Sequence, residues 1–263
     1  MALIKTEIEI ELIRTSSLLV GKTIAEVARH IKPGITTLAL DKIAEEFIRD
    51  HKAKPAFKGY HGFPATLCIS VNEVVVHGIP GKRELKEGDL VSIDCGTIID
   101  GYYGDSAFSF GLLPMAVELE LLMKRTHDSL LKSIDVIAAG KRVGDIGYEV
   151  QTYVESFGYS VVRDLVGHGL GTSLHEKPEV PNYGRRGTGA KLEEGMVICI
   201  EPMINLGTRQ VMQENDGWTI RTMDKKPSAH FEHAVVIRNT GADILSSFSE
   251  IEQVINPDII ITR

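Results

Sequence analysis

The chain has 263 residues, 43% hydrophobic and 25% charged, an ordinary balance for a soluble globular protein with a full core. Its net charge of -7, without a block of Lys or Arg, excludes a nucleic-acid-binding surface as the main function. No apolar run approaches the ~18 residues that would span a bilayer, so no membrane partner is expected.

The opening "MALIKTEIEIELIR" alternates charged and apolar residues and lacks an apolar signal region, so the expected compartment is the cytoplasm. Helical spacing runs from about Ile8 to Ile31 and stops at Pro33-Gly34. "TTLALDKIAEEFIRDH" is a second helix, opened by threonines that can cap it. "ATLCISVNEVVVHGIP" reads as a hairpin with Asn72-Glu73 near its turn, and "LVSIDCGTIIDGYYGDSAFSF" as another. A long amphipathic helix is predicted from about Met115 to Ile137, ending before Gly140, and another over "DIGYEVQTYVESFG". "MVICIEPMI" and "EHAVVI" are strands. No Ser/Gly/Pro-rich linker divides the chain, which predicts one α+β domain over residues 1–263. Cys68, Cys95 and Cys199 form no CxxC pair and read as reduced thiols.

A weak internal repeat aligns "LKEGDLVSID" from Leu85 with "LEEGMVICIE" from Leu192, an offset of 107 residues. The same offset sets His61-Gly62 on His168-Gly169. Chance similarity of short β segments is one explanation. The other is two related halves, about 7–137 and 138–250, packed around a pseudo-twofold. Asp94 would then correspond to Glu201, and both would project toward one place.

Asp94 and Asp105 lie inside apolar strand-like runs, where a lone carboxylate is costly. Asp100-Gly101 between them is a strong two-residue turn signal, because a type I′ turn needs positive φ. Centring the hairpin there predicts Ile99 opposite Tyr102, Gly96 opposite Asp105 and Asp94 opposite Ala107. Alternate residues share a face, so the two acids become diagonal neighbours. They would lie roughly 7–8 Å apart and repel by roughly 2 kcal/mol at an effective dielectric near 20. Gly96 and Gly104 are expected to leave open space around them. Neither strand carries Lys or Arg, so a metal ion is the economical counter-charge. Solvated acids on a surface hairpin are the plainer reading of the same pattern. Asp100 belongs to the turn and carries no chemistry.

Glycines flank His168, allowing the backbone to bend closely around a ligand, and His175 follows seven residues later. The spacing is G-x-G-x-G, and Pro178 and Pro181 forbid the helix that a dinucleotide loop requires. His77, before Gly-Ile-Pro, reads as structural when taken alone. Pro202 ends or exposes the strand after Glu201. Glu232, Ala234 and Val236 share one strand face, and His233 points away. "HFEH" matches neither H-E-x-x-H nor a zinc-deaminase signature. His30, His51, His127, His230 and His233 have no persuasive sequence partner and read as structural or solvated.

In order, Asp94, Asp105, His168, Glu201 and Glu232 resemble the five metal ligands of the methionine aminopeptidase family. The words "GYHGFP", "SVNEVVVHGIP", "IDCGTIIDGYYGDSA", "GHGLGTSLHEKPEVPNYG", "IEPMI" and "FEHAVVI" match as well, from about Glu7 to Val236. Gaps of 33 and 31 residues on either side of Glu201 leave no room for the helical insertion of the type II enzymes. No zinc-finger extension precedes the pattern, so the resemblance is to type I.

The resemblance implies a pita-bread fold and removal of the initiator Met from nascent chains when the second residue is small. It implies a monomer near ribosomes and two divalent ions, with Co, Mn, Fe and Zn all compatible with the ligand set. Asp105 and Glu232 would bridge, Asp94 would chelate one ion and His168 would bind the other. Glu201 would ligate and act as general base, His175 would hydrogen-bond the scissile carbonyl, and His77 would contact the scissile amide. Tyr60, Phe63, Cys68 and Trp218 would form the methionine pocket, although each could equally be core. A monovalent-cation site for Na or K is implied at Asn72, Val74 and Ser228. Leu174, Phe57 and Leu165 depart from the bacterial pattern and bear on pocket shape and inhibitor preference. A proline-directed peptidase of the same fold is an alternative, but about 70 residues before the first hairpin are too few for its usual extra domain. A non-catalytic relative is another alternative, and such relatives lose ligands that are all present here.

Overall fold

The computed structural model describes residues 4–262. Helix α1 (Glu7–His30) starts at a capping box, in which Thr6 N–H donates to Glu9 Oε2 and Glu9 N–H donates to Thr6 Oγ1. Helix α2 (Thr37–Asp50) is capped by Thr36, whose Oγ1 accepts from Ala39 N–H at 3.2 Å. Strands β1 (Leu67–Val71) and β2 (Val74–Val76) lead to the long hairpin of β3 (Leu90–Ile99) and β4 (Tyr102–Leu112). Helix α3 (Val117–Asp135) closes the first half and α4 (Val143–Glu155) opens the second. The strands that follow are β5 (Gly167–Gly169), β6 (Glu176–Val180), β7 (Val197–Ile200) and β8 (Met203–Asn205). Beyond them come β9 (Ile220–Thr222), β10 (Ser228–His230), β11 (His233–Arg238), β12 (Gly241–Ile244) and β13 (Ile259–Ile261).

Two antiparallel sheets carry the architecture. In one, β3 is flanked by β1 and β4, and β13 closes the β4 edge. The other runs β12-β11-β7-β5-β6. They meet where Ala107 bridges Glu232: Glu232 N–H donates to the Ala107 carbonyl at 2.9 Å, and Ser106 Oγ donates to the Glu232 carbonyl at 2.6 Å. Period-two pleating sorts the side chains. Val197, Cys199, Ala234 and Val236 face a core that includes Phe57, Phe63, Cys68 and Leu174. Ile198, Ile200, Val235 and Ile237 face the helix-covered core with Ile24, Phe108 and Leu122.

The pseudo-twofold is visible in backbone hydrogen bonds. Gly34 N–H donates to Leu85 C=O at 2.8 Å and Gly140 N–H to Leu192 C=O at 2.9 Å. Leu85 N–H returns to Ile35 C=O at 2.9 Å and Leu192 N–H to Lys141 C=O at 2.8 Å. Thus the residue opening each repeat is clamped to the loop that leads into α2 or α4. Gly88 and Gly195, equivalent in the repeat, both have positive φ, +84° and +82°. His61-Gly62 and His168-Gly169 do not share this equivalence. His61 lies in a 3₁₀ turn beside a left-handed Gly62, whereas His168 and Gly169 are in a strand.

The β3–β4 register is the one expected, including Ile99↔Tyr102, Gly96↔Asp105 and Asp94↔Ala107. Asp100 (φ +50°) and Gly101 (φ +84°) make the turn. The segment read as a hairpin around Asn72-Glu73 turns there, yet its arms enter different sheets: β1 pairs with β3 and β2 with β9. Asn72, at φ +56°, ties the turn to β3 by accepting from Leu90 N–H and donating to Asp89 Oδ1. "MVICIEPMI" is likewise two strands, broken at Glu201-Pro202.

The space expected around Gly96 and Gly104 is filled. A Cβ on Gly96 would come within 2.6 Å of the Phe57 ring. A Cβ on Gly104 would come within 2.3 Å of the Ser17 backbone nitrogen and 2.4 Å of the Ser16 carbonyl carbon. The glycine therefore lets the α1 backbone seat on the hairpin. Gly104→Ala is expected to cost about 2–3 kcal/mol in urea unfolding, as overpacking against backbone does. A loss below about 0.5 kcal/mol would contradict the close approach.

Candidate active site

The hairpin register brings Asp94 and Asp105 to one cleft of about 540 Å³, which His168, Glu201 and Glu232 also line. Each side chain arrives from a different element: Asp94 from β3, Asp105 from β4, His168 from β5, and Glu201 from the Pro202 break that follows β7. Glu232 sits at the bridge between the two sheets, one residue before β11. Single ligand atoms of Asp105, His168, Cys199 and Glu232 all lie within 4.8 Å of one another. His168 Nε2 is 3.8 Å from Asp105 Oδ2 and 3.5 Å from Glu201 Oε1. Its Nδ1 is 2.9 Å from the Gly169 carbonyl, which can only accept. The ring proton is therefore on Nδ1, and the Nε2 lone pair faces the acids.

Burial pushes the Asp94 carboxyl up to about 7. Asp105, Glu201 and Glu232 are also raised well above the usual carboxylate range, first by burial and then by one another's charge. Burial pushes His168 down to about 3 and His77 down to about 4. Asp94 Oδ1, Asp105 Oδ1 and Glu232 Oε1 are buried without a hydrogen-bond partner, and no Lys or Arg lines the cleft. Orphaned carboxylate oxygens with one neutral imidazole fit a divalent cation.

Tyr60, Phe63, Cys68, His77, His175 and Trp218 line the same cleft, with Phe57 and Leu174. Phe63 and Trp218 pack edge to face at 5.1 Å, and His77 meets Trp218 at 6.4 Å. His175 packs edge to face on His168 at 4.4 Å. Leu165 lies elsewhere, against the core of Val75, Val162 and Met203. Ser228 N–H donates to the Asn72 carbonyl at 2.9 Å, so two of the three residues expected at a monovalent-cation site, Asn72 and Ser228, are in contact; Val74 opens β2 just beyond. The glycines flanking His168 serve strand packing: a Cβ on Gly167 would strike the Cys199 carbonyl, and one on Gly169 the Lys177 carbonyl.

Sequence reasoning missed two neighbours of the acids. Cys199 shares a strand face with Val197 and points its thiol into the acid cluster; its position two residues before Glu201 was the available signal. His230, read as structural or solvated, is buried with Nε2 unpartnered and 3.8 Å from Glu201 Oε2. Its place two residues before Glu232 would have revealed the shared face. The remaining histidines behave as expected: His30 pairs with Glu26, His51 with the Phe47 carbonyl, and His233 with Ser246.

A model of metallopeptidase family M24 matches residues 11–239. The chain belongs to this family. It is 50% identical over 246 residues to a methionine aminopeptidase of Clostridium perfringens, covering 94% of this chain and 99% of that protein. The crystal structure of methionine aminopeptidase from Rickettsia prowazekii superposes with a TM-score of 0.92 at 42% identity, covering 94% of this chain and all of that one. That from Thermotoga maritima gives 0.92 at 43% identity with the same coverage. The pita-bread fold is thereby established, and membership of a metallopeptidase family together with a buried cluster of metal-ligating side chains supports divalent metal binding. Among the described residues no helix is long and apolar enough to cross a membrane.

The raised carboxyls make a pH prediction for the metal-free protein. Above about pH 7.5 imidazoles are largely neutral in both folded and unfolded chains, so the acids dominate the difference in proton binding. Asp94 binds its proton near pH 7 when folded, against 3.8 for the free group. The folded chain therefore binds more protons, and stability rises as pH falls from about 8.5 to about 7.5. Below that window the buried histidines oppose the trend. Calorimetric melting of chelated protein is expected to show a higher midpoint at pH 7.5 than at pH 8.5, and added Mn²⁺ should close the gap. Asp94→Asn should raise the metal-free midpoint by at least about 2 °C while abolishing tight metal uptake in titration calorimetry.

Proposed function

We propose that this chain removes the N-terminal methionine of new polypeptides when the second residue is small. The observation that carries the reading is the convergence of two buried carboxylates, Asp105 and Glu232, two partly buried ones, Asp94 and Glu201, and one neutral imidazole in an apolar cleft. Similarity to the named aminopeptidases points the same way. Asp94, Asp105, His168, Glu201 and Glu232 would hold two divalent ions, Asp105 and Glu232 between them. When bound, divalent ions supply Lewis-acid activation of water and of the scissile carbonyl.

The chain's own groups do the rest. Glu201 takes the proton of the attacking water and returns it to the departing amine; burial and its acidic neighbours have already raised its proton affinity. His175 donates to the carbonyl oxygen as negative charge develops there. His77, held neutral by burial, contacts the scissile amide and assists the leaving group. Tyr60, Phe63, Cys68 and Trp218 surround the methionine side chain with aromatic faces and a thiol, surfaces suited to a polarizable thioether. Asn72, Val74 and Ser228 would hold Na or K. The protein would act as a cytoplasmic monomer near ribosomes, as one catalytic domain over residues 1–263 with halves at about 7–137 and 138–250.

Chelated protein reloaded with Co²⁺, Mn²⁺, Fe²⁺ or Zn²⁺ is expected to release Met from Met-Ala-Ser and to leave Met-Leu-Ser nearly intact. Absence of Met release with all four ions would sink the proposal. Glu201→Gln should lower kcat by about 10²–10⁴, and preferential cleavage of Xaa-Pro dipeptides would favour the proline-directed alternative.

A further inference from the structure

We infer that the Tyr60 hydroxyl is a positioning group that sets the tautomer of His175, so that this imidazole presents Nε2–H to the reacting carbonyl. The inference deepens the aminopeptidase reading and, for its catalytic consequence, rests on it. Tyr60 Oη lies 2.8 Å from His175 Nδ1, and the rings meet edge to face at 5.2 Å. Among the described residues, neither the phenol nor His175 Nε2 has another hydrogen-bond partner.

Two arrangements satisfy this contact: the phenol donates to Nδ1, or Nδ1–H donates to the phenol. At pH 7.5, above the ordinary imidazole pKa of about 6.5, the ring is neutral and carries a single proton. Burial pushes the Tyr60 pKa up, so the phenol keeps its proton. A phenol hydroxyl is a good donor and a bare imidazole nitrogen a good acceptor, which selects the first arrangement. The single ring proton then resides on Nε2. In the other tautomer Nε2 would turn a lone pair toward an oxygen gaining negative charge, and attraction would become repulsion. A wrong tautomer is costly for any histidine whose proton must face one way.

Tyr60 is placed without help from His175. It heads a 3₁₀ turn (Tyr60–Gly62) bounded by Gly59 at φ +89° and Gly62 at φ +89°, with His61 at φ +45° inside it. Tyr60 N–H donates to the Phe57 carbonyl, and Phe63 N–H donates to the Tyr60 carbonyl, each at 2.9 Å. A non-glycine residue at positive φ is strained, and such strain persists where surrounding bonds over-determine the turn. The turn belongs to the first half of the chain and His175 to the second. The hydrogen bond thus spans the cleft and orients a group of one half from the backbone of the other. This role differs from lining the methionine pocket, because it resides in the hydroxyl and not in the ring.

Tyr60→Phe separates the two roles, since it keeps the ring and removes the hydroxyl. In metal-free, ¹⁵N-histidine-labelled protein near pH 7.5, with His175 assigned by its loss in His175→Gln, the wild type should show an acceptor-type Nδ1 and a donor-type Nε2. Tyr60→Phe should shift both resonances toward a mixed tautomer and leave the melting midpoint in place. In reloaded enzyme it should lower kcat for Met-Ala-Ser about tenfold, the worth of one such hydrogen bond, with KM within about twofold. A protonated Nδ1 in the wild type, or an unchanged tautomer and kcat in the variant, would overturn the inference. Wild-type protein that released no Met would refute the aminopeptidase reading instead, and the tautomer would still be decided by the resonances alone.

Discussion

Everything in this structure turns on the repulsion among four carboxylates held out of water around one point. Asp94, Asp105, Glu201 and Glu232 arrive on separate elements, and burial strips each of the solvent that would stabilise its charge. Three of them leave an oxygen with no hydrogen-bond donor. Such a cluster is tolerable only with protons or cations among the acids. The rest of the fold supplies the opposing stability. A helix-covered apolar core lies behind the two sheets, and the junction at Ala107–Glu232 is tied by four hydrogen bonds, two at Glu232 and two between Ser109 and His230.

The two halves share the work unequally. Each contributes a clamp in which a loop glycine donates to a repeat leucine and that leucine donates back to the residue after the glycine, and each delivers an acid at or just beyond the strand that follows. The first half then adds the hairpin partner Asp105 and the strained turn bearing Tyr60. The second adds His168, His175 and Glu232. The two clamps are nearly symmetric, and departures from that symmetry bring different side chains to the cleft. The 3₁₀ turn at His61, set against the strand that holds His168 at the same 107-residue offset, is the clearest such departure.

Legibility varied with the range of the determining interaction. The Asp94–Asp105 relation was readable because a two-residue turn with positive φ at Asp100 and Gly101 fixes register, and register fixes faces. The helix starts were readable because capping is local. The arms around Asn72 were misread, because their partners β3 and β9 lie far along the chain and the asparagine side chain, not a ladder, holds the turn. Gly96 and Gly104 looked like open space because sequence cannot show that Phe57 and the α1 backbone occupy it. His230 was passed over although its spacing from Glu232 was legible; only the fold shows its unpartnered nitrogen facing Glu201.

By itself the sequence determined the acids, the imidazoles, their order and the local geometry of turns, caps and strand faces. These depend on dihedral preferences and on periodicities of a few residues, and the family resemblance rests on the same ordered words. Tertiary structure alone decided which atoms meet: a thiol beside the acids, an imidazole behind Glu201, and a phenol 2.8 Å from His175 across 115 positions of chain. Those contacts depend on how two sheets and two halves dock, which is governed by packing and burial summed over the whole molecule. No short stretch of sequence encodes that sum.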